Sequence, residues 1–569
     1  MKPPTIRFPY GRSNYASLIR RGYHYVDKTR YLEWLEESDE SYIFFLRPRR
    51  FGKSLFVSML EYYYDVKQQG AFEELFGKFY IGQNPTPEQG TYWILQFNFS
   101  GIHTTNIQLI EEGFLMNVRS GIDYFIHQYL ELSKEERQQI LTQPQANMML
   151  RRLLDVLKKQ PIKPVYLLID EYDHFTNALI ADNVSTFQQV VGQDGFVRTF
   201  YETIKNGTGE GTIERIFVTG VSPVTLDSLT SGFNIGSHLS LELDLHEMMG
   251  FSEEEVLSML SQVAPADQQA TILADMRQWY NGYLFHAAAK RKVYNSDMVL
   301  YFLKHYKRHQ NYPEEMLDTN ISSDYGKLRR LFNLRTPEQN YEVLQDILRG
   351  KVQKANIVAE FSLVKTFSKN DFISLLFYLG FLTIKNTESG FLQLGVPNYV
   401  IQRLYFDFFV AQLTEKEEMP TRLSQLQNSI VEMAMEGNPH PFFQEVEHVL
   451  QHLSRRDYQR FSEKYVKAII MALALQVETF FVKSEREHAS GYSDLLFLQR
   501  PPINIDHQYL FELKYLKQSD KKELADTQQQ AKQQLLAYLD GASELQAIPN
   551  LQAWTVVVVK DTVYLERGR

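Results

Sequence analysis

Two patterns of apolar positions alternate along the first half of this chain. Apolar-rich runs of strand length occupy residues 41–46, 91–99, 165–171 and 213–220. Before and between them, apolar residues recur at helical spacing over 14–21, 30–37, 53–63, 106–132, 134–159 and 196–206. The run Val165-Tyr-Leu-Leu-Ile169 has no polar alternation, as expected of a parallel strand covered on both faces. Strands alternating with helices predict a doubly wound α/β sheet.

The pattern changes at Gly250. Residues 250–302 read as helical and would cover the sheet as a lid, and 304–345 are polar with no clear period. A helix over 369–380, strands over 381–385 and 391–394 around a Glu-Ser-Gly turn, and a helix over 399–413 suggest a small winged-helix-like module. A charged stretch over 417–436 reads as linker plus helix, and the residues that follow carry a second α/β signal. The expected parts are therefore 1–249, 250–345, 346–440 and 441–569.

Composition narrows the class. A chain of 569 residues is long enough for about three or four domains. With 44% hydrophobic and 23% charged residues it is globular in type. It has no cysteine, which excludes disulfides, thiol catalysis and cysteine-bound zinc. A formal charge of -9 means that any nucleic-acid contact must use a local basic surface. The first ten residues lack the apolar core of a secretory signal, and no apolar run reaches the ~20 residues of a membrane helix. The expectation is a soluble cytoplasmic protein without a membrane partner.

Two stretches carry candidate chemistry in the first part. Arg47-Pro-Arg-Arg-Phe-Gly-Lys-Ser54 lies between a strand and a helix. There, N–H groups at the helix start and the helix dipole attract anionic oxygens, Lys53 would reach the β- and γ-phosphates, and the Ser54 hydroxyl would ligate Mg²⁺. The common form of this loop has glycine where Arg47 stands, so a basic loop before a surface helix is the plain alternative. The second stretch is the strand ending in Asp170-Glu171. This is the Walker B arrangement, in which Asp170 serves the Mg²⁺ and Glu171 polarises the attacking water. The pair makes ATP with Mg²⁺ the favoured ligand. Thr219 stands where a polar sensor of the γ-phosphate would, or is a plain strand-terminal threonine. Arg198, Arg215 and the pair Arg49/Arg50 are candidate arginine fingers, or solvated surface residues.

These stretches, with Tyr25-Val-Asp-Lys-Thr29, Phe217-Val-Thr-Gly-Val-Ser222 and Tyr280-Asn-Gly-Tyr283, resemble the bacterial AAA-ATPase-like family, whose members commonly carry a C-terminal PD-(D/E)XK nuclease-like domain. The resemblance spans nearly the whole chain. It implies that the arginine-rich loop is this family's own phosphate loop, so that Arg47, Arg50, Phe51, Gly52, Lys53 and Ser54 belong to the nucleotide site. Physically, the loop arginines either add charge at the phosphates or bind an acidic neighbour and hold the loop shut.

In the last part, Asp494 begins one strand, and Glu512 and Lys514 lie two apart on another, hence on one face. If the strands are adjacent, Asp494 and Glu512 offer hard oxygens to Mg²⁺ and Lys514 orients or activates a water. Cross-strand Glu–Lys pairing without chemistry is the plain alternative. The D…E-x-K pattern resembles the PD-(D/E)XK nuclease signature, with Ser493 in place of the usual proline. That resemblance implies that Glu463, at the start of an upstream helix, completes the metal shell. Gln530 and Gln534-Leu-Leu-Ala-Tyr538 resemble a further element of some relatives, and Lys521, Lys522 and Lys532 could touch a phosphate backbone.

The fold expected is thus α/β: a P-loop ATPase parallel sheet with a helical lid, a winged-helix-like connector and a C-terminal restriction-endonuclease-like domain. The function expected is ATP hydrolysis coupled to Mg²⁺-dependent phosphodiester hydrolysis of nucleic acid, DNA first, with a homo-oligomer compatible. The competing expectation is a nucleotide-dependent switch or assembly protein whose last domain binds nucleic acid without cutting it.

Overall fold

The computed structural model of the chain describes residues 6–159, 163–174, 189–190, 192, 195–223, 234–318, 328–334, 336–348, 350–358, 367–416, 423–452, 462–477, 479–488, 491–500 and 503–568. Residues 319–327 of the expected lid region and 417–422 of the expected linker lie outside the described residues. The chain forms two compact units, Met1–Gln310 with Arg329–Tyr341 and Val352–Tyr399, and Asn311–Leu328 with Glu342–Lys351 and Val400–Arg569.

The first unit is built on five parallel strands: β1 (Tyr42–Leu46), β2 (Trp93–Asn98), β3 (Val165–Asp170), β4 (Ile213–Gly220) and β5 (Ser237–His238). Their order is β2-β3-β4-β1-β5. All six residues of β3 are buried, the consequence of its unalternated apolar run. Because β4 lies between β1 and β3, the loop after β1 and the acids after β3 open at the same edge, one strand apart. The helical run 134–159 is two helices, Lys134–Leu141 and Ala146–Leu157. Pro144 stands in the gap, where its missing N–H and fixed φ interrupt a continuous helix.

Three helices follow the sheet in this unit: Glu253–Leu260, Gln269–Tyr280 and Ser296–His309. The expected hairpin is present as β7 (Thr383–Glu388) and β8 (Phe391–Gly395), turning through Ser389 and Gly390 at positive φ. A third strand, β6 (Gln353–Ala355), pairs with β8, and the helix Lys369–Tyr378 precedes the hairpin.

The second unit holds a mixed sheet of β9 (Phe480–His488), β10 (Gly491–Gln499), β11 (Gln508–Leu516), β12 (Leu551–Val559) and β13 (Thr562–Arg567), in the order β13-β12-β11-β10-β9. Only β11 and β12 pair in parallel, and the helix Leu524–Gly541 makes the crossover that parallel pairing requires. Leu535 on that helix closes a core with Leu496, Leu510, Ala542, Leu545 and Ala553. The helix Glu463–Ala474 packs on β9 and β11.

Candidate functional site

After Leu46 the chain turns through Arg47 to Gly52 and enters the helix Lys53–Tyr64. Gly52 is the N-cap at φ 94°, a conformation costly for any side chain, and a Cβ there would meet nothing within 4 Å. The space beside Gly52, at the helix start, is therefore open. The first N–H groups of the helix have no acceptor within it, so this terminus has the chemistry to hold an anion. Lys53 is buried and donates from Nζ to the Pro48 carbonyl at 3.1 Å. Burial lowers its pKa, while the Glu171 and Asp170 charges favour its ammonium form.

The loop is held from outside by its carbonyls. Asn295 Nδ2 donates to the Arg49 carbonyl (3.1 Å) and the Asp297 N–H to the Arg50 carbonyl (3.3 Å). The Ser296 hydroxyl (3.4 Å) and the Gly250 N–H (3.2 Å) both reach the Phe51 carbonyl. In a planar trans peptide the N–H points opposite to the C=O. Anchoring these three carbonyls therefore turns the N–H groups of Arg50, Phe51 and Gly52 the other way, as an anion cradle needs.

The three loop arginines have different fates. Arg47 is fully buried, sandwiched between the Phe45 and Phe285 rings, and donates to the carbonyls of Leu46 (3.0 Å), Ser240 (2.6 Å) and Leu245 (3.0 Å). Its charge is spent on the interior, and burial pushes its pKa down to about 9. Arg50 pairs with Asp297 at 3.1 Å. Arg49 is the one whose charge acts on Lys53 and Glu171. The Phe51 ring is turned into a pocket of Tyr283 and Phe285, so only its backbone belongs to the loop surface. Of the other finger candidates, Arg215 is paired with Glu88 and Arg198 with its helix neighbour Glu202.

At the end of β3, Asp170 is 2% exposed and accepts from Asn98 Nδ2 (3.4 Å), and the Ser54 side chain is near enough to favour its charged form. Burial raises the Asp170 pKa to about 6. Glu171 follows in the left-handed region, at φ 56°. Burial alone would raise its pKa, but the His174 contact and the Lys53 charge hold it at about 2. Thr219 is buried and donates to the Phe45 carbonyl at 2.8 Å, so its hydroxyl hydrogen is engaged by β1. Asp173 accepts from the N–H groups of Val221 and Ser222, locking the β3 and β4 ends together.

In the second unit, β10 and β11 are adjacent and antiparallel, with Leu495 opposite Phe511. Asp494 and Glu512 flank that pair and come together, as the adjacency condition requires. Asp494 Oδ2 accepts the Leu513 N–H (3.0 Å), and Oδ1 accepts Lys467 Nζ (2.7 Å). Glu512 is 2% exposed; Oε1 accepts Lys514 Nζ at 2.7 Å, and Oε2 has no partner among the described residues. Burial and the Asp494 charge raise the Glu512 pKa to about 7. Glu463, on the first turn of its helix, is raised by burial, with Lys514 lowering and Asp494 raising it. Tyr538 on the crossover helix is raised by burial and by the charges of Glu512 and Asp494, so it too faces the cluster. Gln530, Gln534, Lys521 and Lys522 are exposed, and Lys532 is paired with Glu566.

Comparison with known proteins assigns both regions. Residues 9–230 match the family model described as a predicted AAA-ATPase. Residues 461–567 match that of the PD-(D/E)XK nuclease superfamily. The chain joins an AAA-ATPase-like domain to a PD-(D/E)XK nuclease superfamily domain. A relative named "Uncharacterized protein in vnfD 5'region", from Azotobacter chroococcum mcd 1, is 27% identical over 387 residues, 67% of this chain. The match covers 65% of that relative, so the chain spans just under two thirds of its length.

The AAA-ATPase-like domain fits a nucleotide with Mg²⁺: the open helix terminus suits phosphate, and Ser54 and Asp170 supply hard oxygens for the ion. The nuclease-superfamily domain fits a divalent ion through the unpartnered Glu512 Oε2 and the neighbouring Asp494. Among the described residues no three acidic or imidazole groups stand close enough to form a ready-made metal cluster. Lysines occupy part of that space. Sequence reasoning missed Lys467 and the Asn295–Asp297 clamp. Lys467 had a signal, since it lies four residues after Glu463 and so on the same helix face. Among the described residues no helix is long and apolar enough to cross a membrane.

Proposed function

We propose that this chain binds and hydrolyses ATP in its AAA-ATPase-like domain and cleaves phosphodiester bonds of nucleic acid, DNA first, in its nuclease-superfamily domain. Residues 1–249 would form the ATPase core, 250–345 its lid, 346–440 a connector and 441–569 the nuclease. The observation that carries the reading is the buried, unpartnered Glu512 Oε2 beside Asp494 and Lys514. A buried carboxylate oxygen with no donor is costly unless a cation completes it.

In the ATPase, the Gly52–Ser54 terminus and Lys53 would hold the phosphates, with Arg49 adding charge. Ser54 and Asp170 would hold Mg²⁺. Glu171, ionised at any physiological pH, would orient the attacking water. In the nuclease, Asp494 and Glu512 would hold the divalent ion, with Glu463 at its edge. A divalent ion there would supply Lewis-acid charge at the scissile phosphate. Lys514 would hold and polarise the water. The occupation of Asp494 Oδ1 and Glu512 Oε1 by lysines favours, as the second reading, a nucleotide switch that binds nucleic acid without cutting it.

The test incubates the protein with single- and double-stranded DNA and RNA, Mg²⁺ or Mn²⁺, with and without ATP. Lys53→Ala and Glu512→Ala/Lys514→Ala run beside it. The expected result is cleavage lost in the second variant and no longer ATP-responsive in the first. Equal cleavage by Lys53→Ala and wild type, with and without ATP, would sink the coupling. No cleavage with ATP turnover intact would favour the switch.

A further inference from the structure

Lys467 is 7% exposed, and its Nζ lies 2.7 Å from Asp494 Oδ1. It rises from the helix Glu463–Ala474 one turn after Glu463, on the same face, so the helix delivers a carboxylate and an ammonium to the same place. Both oxygens of Asp494 hold a donor, Lys467 on one and the Leu513 N–H on the other. On Glu512, among the described residues, a donor occupies only Oε1.

With all three carboxyls ionised, Glu463, Asp494 and Glu512 face the two ammonium groups of Lys467 and Lys514, which leaves one net negative charge. One divalent ion would turn this into one net positive charge, which a phosphodiester of one negative charge balances. A second divalent ion would leave a large uncompensated charge in a buried site, where such repulsion is poorly screened.

We propose that Lys467 is a resident countercation that limits this centre to one divalent ion, bound between Glu512 Oε2 and Asp494. Lys467 shares the Asp494 carboxylate with the ion and occupies, as an ammonium, the position a second ion would take. It is a positioning residue: it contributes charge to the ligand carboxylates rather than touching the reacting atoms. The inference rests on the metal-site reading of Asp494 and Glu512 proposed above.

The test counts Mn²⁺ by electron paramagnetic resonance of the free ion, using nucleotide-free full-length protein in a Ser54→Ala/Asp170→Asn background to silence the ATPase site. The expected result is one Mn²⁺ per chain for this parent and for Lys467→Arg. Lys467→Met, similar in volume but uncharged, is expected to take up a second ion or to bind the first at least about tenfold more tightly. Its melting temperature should also rise more with Mn²⁺ than that of the parent. Unchanged stoichiometry and affinity in Lys467→Met would assign Lys467 to plain structural pairing and overturn the proposal. Should Lys467→Met fail to fold, the parent decides: one ion supports the proposal and two overturn it. No Mn²⁺ bound by parent and variant alike would remove the metal-site reading itself, and the inference with it.

Discussion

Arg50 and Asp297 meet across the loop of residues 47–52, Nη1 to Oδ2 at 3.1 Å, and the Asp297 N–H binds the Arg50 carbonyl at 3.3 Å. Arg50 sits at φ 68°, a conformation disfavoured for a side chain of its size. The two contacts hold it there, and Asn295 and Ser296 hold the peptides on either side. The loop is thus shaped by the start of the helix Ser296–His309, far away in sequence.

Asn295→Ser separates this clamp from helix capping. Serine keeps an N-cap oxygen for the helix but cannot reach the Arg49 carbonyl. ATP affinity should fall about tenfold, in keeping with the loss of roughly one hydrogen bond, ~1.4 kcal/mol. A fluorescent-nucleotide titration measures it, with far-ultraviolet circular dichroism unchanged.

Arg47→Met should act on stability rather than on phosphate binding. It removes three bonds to carbonyls, of which that of Leu245 keeps a backbone donor, the Met248 N–H. The expected cost is roughly 3 kcal/mol or more. In denaturant unfolding the midpoint should fall, while the nucleotide affinity of the still-folded fraction stays near wild type. Had Arg47 faced the phosphates, affinity would fall first.

His246 predicts an acid-sensitive fold. It is buried; Nδ1 accepts the Phe285 N–H, and Nε2 donates to the Arg291 carbonyl at 2.7 Å, so the ring is neutral. Burial, with Arg47 adding repulsion, pushes its pKa down to about 4. A histidine depressed in the folded state binds fewer protons there than when unfolded. Its contribution is therefore complete above about pH 6.5 and is lost as pH falls towards 4, by up to roughly 3 kcal/mol. The slope of unfolding free energy against pH between 6.5 and 4 should flatten in His246→Gln.

Glu171→Gln should keep ATP binding and lose turnover by about 10²-fold or more, since the carboxylate is replaced by a group of the same shape that cannot take a proton. Loss of binding instead would mean that Glu171 holds the loop rather than the water. A binding isotherm beside a phosphate-release assay distinguishes the two.

The parts legible in the sequence were those set by local pattern. β4 spans Ile213–Gly220 and the early helix Arg30–Glu37, as the apolar periodicity indicates, because each is bounded by its own turn residues. The E-x-K spacing places Glu512 and Lys514 on one face of a strand, and the pairing of β10 with β11 meets the condition that Asp494 stand beside them. Side-chain direction in the loop was not legible. Nothing local tells Arg47 to turn inward: that is decided by the Phe285 ring and the Ser240 and Leu245 carbonyls, brought in by later segments. Asn295 reads locally as a helix cap and nothing more; its second bond, to Arg49, exists only in the folded unit.

The most direct test of the central claim is the rate of Mn²⁺-supported cleavage of a labelled DNA by wild type and by Glu512→Gln, with ATP turnover measured on the same preparations. The account predicts cleavage by wild type, a loss of about 10²-fold or more in the variant, and equal ATP turnover in both. Undiminished cleavage by Glu512→Gln, or none by wild type while ATP is hydrolysed, would contradict it.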